Sequence, residues 1–226
     1  MKKFICIIMT VLMSFPGITS YAAMTEDEII EHFNSVSENR VTVFTDINSF
    51  PWAVEPISEL AGRGIVNGAG DGLFLPQNTV SRYEFIKMIT GVCGIVNQNA
   101  AAPHNDLDET HWAYVYVASA YEAGMLDIYS QKIFNGAAPI TREEIAYVSV
   151  AAMIKSGCIE KAEATMPDFT DTDKMSSYSP YSIATLASLG VINGRGDGSF
   201  CPKDYATRAE SAKIVYNVLS IIENNF

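Results

Sequence analysis

The sequence predicts a mostly helical fold: three helix-loop-helix repeats packed around a shared core with pseudo-three-fold symmetry. Three observations lead there. The first is an internal repeat. Gly64, Gly124 and Gly190 each close an apolar stretch, and Phe74, Phe134 and Phe200 follow them by ten residues. Arg82, Arg142 and Arg208 follow by eighteen, and Glu84, Glu144 and Glu210 by twenty, so four columns are identical in all three copies. Self-similarity at this period is the mark of a repeat architecture. The second observation is helical spacing of apolar residues on both sides of each loop. The third is that no alternating strand pattern longer than about four residues occurs. A two-helix unit cannot bury its apolar face alone, so three must share one core.

The copies are preceded by a leader. Lys2 and Lys3 form a positive start, Phe4 to Phe15 an apolar run, and Ser20-Tyr21-Ala22-Ala23 a small-residue cleavage site, so residues 1–23 are expected to be a secretory signal peptide. The apolar run falls short of the about 20 residues a bilayer span needs. A capping box, Thr25-Glu26-Asp27-Glu28, opens an N-terminal helix within residues 24–40. The three repeats are then expected over 41–100, 101–163 and 164–226.

In each repeat the first helix carries the apolar stripe: Val54, Ile57, Leu60 and Ala61, then Val115, Ala118 and Ala123, then Ile183, Leu186, Ala187 and Leu189. The glycines that follow sit where a helix C-terminus turns through positive φ. The second helix opens on Ser81-Arg82-Tyr83-Glu84, Thr141-Arg142-Glu143-Glu144 and Thr207-Arg208-Ala209-Glu210, each a capping box. Phe85, Met88 and Ile89, and in the last copy Ala212, Val215, Tyr216 and Leu219, supply the buried face. The Gly-Asp-Gly loops at Gly70-Asp71-Gly72 and Gly196-Asp197-Gly198 read as turns, since a calcium loop would need a bidentate Glu and six or more oxygens.

Composition narrows the function. The chain has 226 residues, 15 Lys+Arg, 26 Asp+Glu and a net charge of -11. Removing the leader takes two lysines and no acid, which lowers the net charge to -13. Such a chain is not built to displace counterions from nucleic acid or to be held by basic residues on anionic lipid. Neither nucleic acid nor membrane insertion is expected. The three cysteines outside the leader, Cys93, Cys158 and Cys201, allow one disulfide at most, and the simpler reading is buried small apolar residues.

With these motifs in view, the chain resembles the S-layer homology domain, a repeat found in threes on bacterial envelope proteins. The residues that carry the resemblance are Phe44-Thr45-Asp46, Trp52-Ala53, Gly64-Ile65-Val66-Asn67-Gly68, Phe74-Leu75-Pro76 and Ser81-Arg82-Tyr83-Glu84, with their third-copy counterparts from Phe169-Thr170-Asp171 to Thr207-Arg208-Ala209-Glu210. The resemblance implies a three-pronged helical spindle whose inter-repeat grooves bind secondary cell-wall polysaccharide, often pyruvylated, without covalent attachment. It implies a secreted protein of the cell wall or S-layer, with no enzymatic activity and no cofactor. Copy two departs from the pattern, with Ser130-Gln131-Lys132 in place of the glycine-rich loop, so its groove is the one expected to have lost or altered binding.

Candidate ligand-binding residues follow. A cation in the first turn of a helix sits at the wrong end of the macrodipole. Arg82, Arg142 and Arg208 therefore call for an anion, either a neighbouring aspartate or a ligand carboxylate placed at the helix N-terminus. Asp46, Asp106 and Asp171, which open the copies with the third displaced by one residue, are candidates both for orienting the arginines and for touching ligand. Trp52, Trp112 and Tyr178, twelve residues before the glycines, either stack on sugar faces or anchor the first helix in the core, and burial is the commoner fate of Trp. An Arg82→Ala, Arg208→Ala variant is expected to lose wall binding with its helices intact.

Two other classes compete with glycan binding. One is a structural envelope protein acting through assembly with other envelope proteins. The other is a polysaccharide hydrolase. His32, His104 and His111 do not recur across copies, and the adjacent pair Glu143-Glu144 points about 100° apart on a helix, the wrong geometry for paired acids across a cleft.

Overall fold

Three glycines end three helices. In the computed structural model, which describes residues 44–130 and 132–225, Gly64, Gly124 and Gly190 adopt φ of 71°, 72° and 69°. Each lies just past the first helix of its repeat and turns the chain back as the spacing predicts. Six α-helices are described: α1 (Pro51–Gly62), α2 (Arg82–Val92), α3 (Tyr114–Glu122), α4 (Arg142–Lys155), α5 (Pro180–Ser188) and α6 (Arg208–Asn225). No strand occurs among the described residues, only isolated bridges between loops. The fold is helical, as the periodicity predicts. The leader and the helix expected over 24–40 lie outside the described residues.

The second helices begin as read. Ser81 and Thr141 accept from the backbone N–H of Glu84 and Glu144, and both glutamates bond back to the cap. Thr207 and Glu210 make the same reciprocal pair. The first helices instead start on Pro51 and Pro180 in copies one and three, with no side-chain cap.

The helices of one repeat are not each other's main partners. Helix α3 packs on α2, α5 on α4, and α1 closes the cycle on α6, so each prong pairs the second helix of one repeat with the first helix of the next. At the centre, α2 also meets α4 and α6. Phe74, Phe134 and Phe200 are each 1% exposed and fill the core at equivalent points of the three copies.

Three backbone hydrogen bonds tie the repeats in a ring. Val80 N–H donates to Ala206 O (3.1 Å), Ala206 N–H to Ile140 O (3.2 Å), and Ile140 N–H to Val80 O (3.0 Å). These residues occupy the same position in each copy, so the pseudo-three-fold axis runs through the ring. A chain cannot make this ring with fewer than three copies, which is why the repeats come as a set.

Candidate functional site

The N-termini of α2, α4 and α6 face the next repeat rather than solvent. Arg82 and Tyr83 donate their backbone N–H groups to Ala138 O and Gly136 O (3.0 and 2.9 Å). Arg142 and Glu143 donate to Asp204 O and Pro202 O (2.9 and 3.1 Å), and Arg208 and Ala209 to Asn78 O and Pro76 O (2.8 and 3.0 Å). These donors are spent inside the protein. A ligand carboxylate seated on the helix tip is therefore excluded, because the first-turn N–H groups it needs are already satisfied.

The arginine side chains follow the same cyclic rule. Arg208 donates from Nε to Phe74 O (2.9 Å), from Nη2 to Asn67 O (2.7 Å) and from Nη1 to Glu84 (3.0 Å). Arg142 donates from Nε to Phe200 O (2.9 Å) and from Nη2 to Asn193 O (3.1 Å), with Glu210 at 4.0 Å. Arg82 meets Glu144 at 2.6 Å and Asn135 O at 3.4 Å. Each guanidinium also lies over an aromatic ring: Tyr129 for Arg82, Phe200 for Arg142 and Phe74 for Arg208, at 4.8, 4.8 and 4.6 Å from the centroid. The anion that resolves the macrodipole conflict is thus the capping-box glutamate of the next repeat. One of its oxygens closes its own helix cap while the other faces the arginine.

Asp46, Asp106 and Asp171 do not orient the arginines. Asp46 accepts from the N–H groups of Phe74 and Leu75 (2.9 and 2.7 Å), Asp106 from Phe134 and Asn135 (2.9 and 2.7 Å), and Asp171 from Phe200 and Cys201 (2.8 and 2.9 Å). In each case both carboxylate oxygens are engaged. They pin a turn in which Leu75, Asn135 and Cys201 stand at φ of 58°, 52° and 58°, a left-handed conformation that side chains other than Gly and Asn resist. Burial alone would push the Asp106 carboxyl up, but the two backbone donors and His104 outweigh it and hold it below the usual value.

Between the prongs lie clefts, each built from all three copies. The larger, about 440 Å³, is lined by Asn67, Phe74, Glu84 and Lys87 of the first repeat, Trp112 of the second and Arg208 of the third. A smaller one, about 140 Å³, is lined by Asn193, Phe200, Glu210 and Lys213 of the third repeat, Arg142 of the second and Trp52 of the first. The two are the same site turned about the axis. Trp52 and Trp112 are 48% and 53% exposed, which corrects the expectation that tryptophan is buried. Each sits in or beside the first turn of a first helix, too far out along the prong to reach the core.

Sequence reading missed Lys87 and Lys213. They hold the same column, twenty-three residues after Gly64 and Gly190, and the signal was available there, but the third member of the column is Tyr147. The charge in these clefts is incompletely balanced. Arg208 uses three of its five N–H groups. Burial pulls the Arg142 guanidinium down and Arg195 adds to that pull, while Glu210, which opposes it, is too distant for a hydrogen bond. A cleft with a partly desolvated arginine, a lysine, asparagine and an exposed indole can hold an anionic, hydroxyl-rich ligand with an apolar face.

The site around Glu143 differs. Glu143 is 2% exposed and accepts from Ser176 N–H and Oγ (2.9 and 2.8 Å), Tyr178 Oη (3.0 Å), Ser179 Oγ (3.1 Å) and Lys203. Tyr178 is consequently tied down and partly buried, unlike the two tryptophans of its column. Among the described residues no group of three or more His, Cys, Asp and Glu is placed to hold a metal ion. Cys93 and Cys158 are buried free thiols, with burial pushing Cys93 up to about 12.

A helical protein of three cyclically interlocked repeats, with cation-lined clefts between its prongs, is the class this geometry defines. The S-layer homology domain family matches residues 43–86, 105–146 and 168–212, and the chain belongs to that family. It is 34% identical over 183 residues to exoglucanase XynX of Acetivibrio thermocellus, covering 80% of this chain and 16% of that protein. A cellulosome-anchoring protein of the same organism is 28% identical over 169 residues (71% and 37%), and S-layer protein EA1 of Bacillus anthracis 25% over 174 residues (76% and 19%). The chain spans well under half the length of these relatives. Among the described residues no helix is long and apolar enough to cross a membrane.

Proposed function

We propose that this chain attaches non-covalently to the bacterial cell wall by binding an anionic, pyruvate-bearing secondary polysaccharide in its inter-repeat clefts. The observation that carries the reading is the pairing of Arg208 with Lys87 and of Arg142 with Lys213, each pair beside an exposed indole from a third repeat. In a chain of net charge -11, two such concentrations of positive charge select an acid-bearing ligand locally while the rest of the surface repels anions. A pyruvate ketal would meet the guanidinium and ammonium groups, and the sugar ring would lie on Trp112 or Trp52. The aspartates support this site by fixing the turns from which Phe74 and Phe200 offer their carbonyls to the arginines. Names among the relatives, a cellulosome-anchoring protein and S-layer proteins, support a surface role and an anchoring one.

Co-sedimentation with purified walls, before and after acid release of the secondary polysaccharide, tests the reading. Binding to intact walls that weakens with rising ionic strength and disappears from stripped walls is expected. Equal sedimentation with stripped walls would overturn it and favour assembly with envelope proteins.

A further inference from the structure

The three inter-repeat sites are not equivalent, and the difference lies in side chains that fill space. In the site belonging to the second repeat, Arg82 is the arginine, and every position that is open or cationic elsewhere is changed. Lys87 and Lys213 are replaced by Tyr147, Trp112 and Trp52 by Tyr178, Asn67 and Asn193 by Asp127, and Ala69 and Arg195 by Tyr129.

These substitutions meet in the structure. The Tyr129 ring lies under the Arg82 guanidinium at 4.8 Å and packs edge-on against Phe134 at 5.1 Å, so it takes the place beneath the arginine that Phe74 and Phe200 hold in the other two sites. Its hydroxyl is buried. Tyr147 and Tyr178 meet edge to face, with centroids 5.6 Å apart and planes at 83°. The Tyr178 hydroxyl is held by Glu143. Arg82 is hydrogen-bonded to Glu144 at 2.6 Å, as Arg208 is to Glu84 at 3.0 Å, whereas Arg142 has Glu210 only at 4.0 Å. A tyrosine pair in place of lysine and indole, and an added carboxylate at Asp127, leave this site without the second cation and the exposed indole that an anionic sugar meets in the other two.

We infer that the chain is bivalent: the second-repeat site is closed by Tyr129, Tyr147 and Tyr178 and serves to lock repeats, while the two lysine-bearing clefts each take one acidic sugar unit. This rests on the anionic-glycan reading above and adds the number and position of its sites. Two sites on one polymer reinforce each other through effective concentration, so loss of one should weaken polymer binding by roughly 10²-fold while merely halving the capacity for a single sugar.

The test is the number of equivalents of a methyl hexosaminide carrying a pyruvate ketal that bind per chain, followed by calorimetry and by backbone amide shifts. Two equivalents are expected for the wild type, one each for Lys87→Ala and Lys213→Ala, and two for Tyr147→Phe. Amide shifts should cluster around Asn67 and Asn193 and leave Asp127 unmoved. Circular dichroism verifies that the variants fold. Three equivalents, or shifts centred on Asp127, would overturn the inference and leave the anionic-glycan reading standing. One equivalent would also overturn it. No binding of the sugar, together with sedimentation indifferent to the wall polysaccharide, would remove both.

Discussion

Glu84 serves two repeats at once: its Oε2 accepts from the Ser81 backbone N–H at 2.8 Å, and its Oε1 accepts from Arg208 Nη1 at 3.0 Å. The helix cap of the first repeat and the clamp from the third are thus one carboxylate. Arg208 is only 17% exposed on its side chain and also satisfies the carbonyls of Phe74 and Asn67.

Arg208→Ala is therefore a stability variant as well as a binding variant. Two carbonyls lose a charged donor, and we expect a loss of about 2 kcal/mol, with little of it from the ion pair because Glu84 is partly exposed. Chemical denaturation measures it. The double replacement of Arg82 and Arg208, read from sequence as sparing the fold, should lower the midpoint further.

Asp46→Ala should cost about 2 kcal/mol, because it leaves the N–H groups of Phe74 and Leu75 without acceptors at a turn where Leu75 already bears a positive φ. Equilibrium unfolding of Asp46→Ala against Asp46→Asn separates the lost charge from the lost acceptors. Asn, which keeps one acceptor oxygen, should recover part of the deficit.

The exposed and tethered aromatics of one sequence column should respond in opposite ways. Trp112→Ala removes a ring that is half in solvent, so thermal stability should hold within about 0.5 kcal/mol while glycan affinity falls. Tyr178→Ala removes a donor from buried Glu143 and the edge contact to Tyr147, so stability should fall by about 1–3 kcal/mol with glycan affinity unchanged. Melting curves and sugar titrations on both variants check the contrast.

Acid should loosen the contact between the second and third repeats. Burial alone would push the Glu143 carboxyl up, but Lys203, Ser176 and Tyr178 outweigh it and hold it below its ordinary value of 4.5. A carboxyl depressed on folding contributes stability that is present above its unfolded pKa and is lost as pH falls through the folded one. Unfolding free energy should therefore drop as pH falls below about 4.5, and Glu143→Gln should be less stable at neutral pH with a flatter acid limb.

Much of this was legible in the sequence because it repeats. Four identical columns gave the copy number, and the capping boxes at Ser81, Thr141 and Thr207 placed three helix starts. What the repeat could not reveal is which copy each residue serves. Arg208 acts on the first repeat and Asp46 on its own, and only the closed ring of backbone bonds decides that. The apolar stripe of the second copy is partly displaced: the structure buries Ala118 as expected, but Val117 and Ala120 join it in place of Val115 and Ala123, which are half-buried. Ala113 precedes that helix and offers no side-chain cap, so no motif fixes its phase. Lys87 and Lys213 went unread because a column with two lysines and a tyrosine looks like surface variation until the cleft beside it is seen.

The most direct test is the affinity of Lys87→Ala, Lys213→Ala for purified wall polysaccharide, measured beside its melting curve. Neither ammonium caps a helix or pairs with a carboxylate among the described residues, so the protein should melt as the wild type does while polysaccharide affinity falls by roughly 10²-fold or more. Wild-type affinity in that doubly neutral variant would contradict the claim that paired cations in these two clefts hold the chain to the wall.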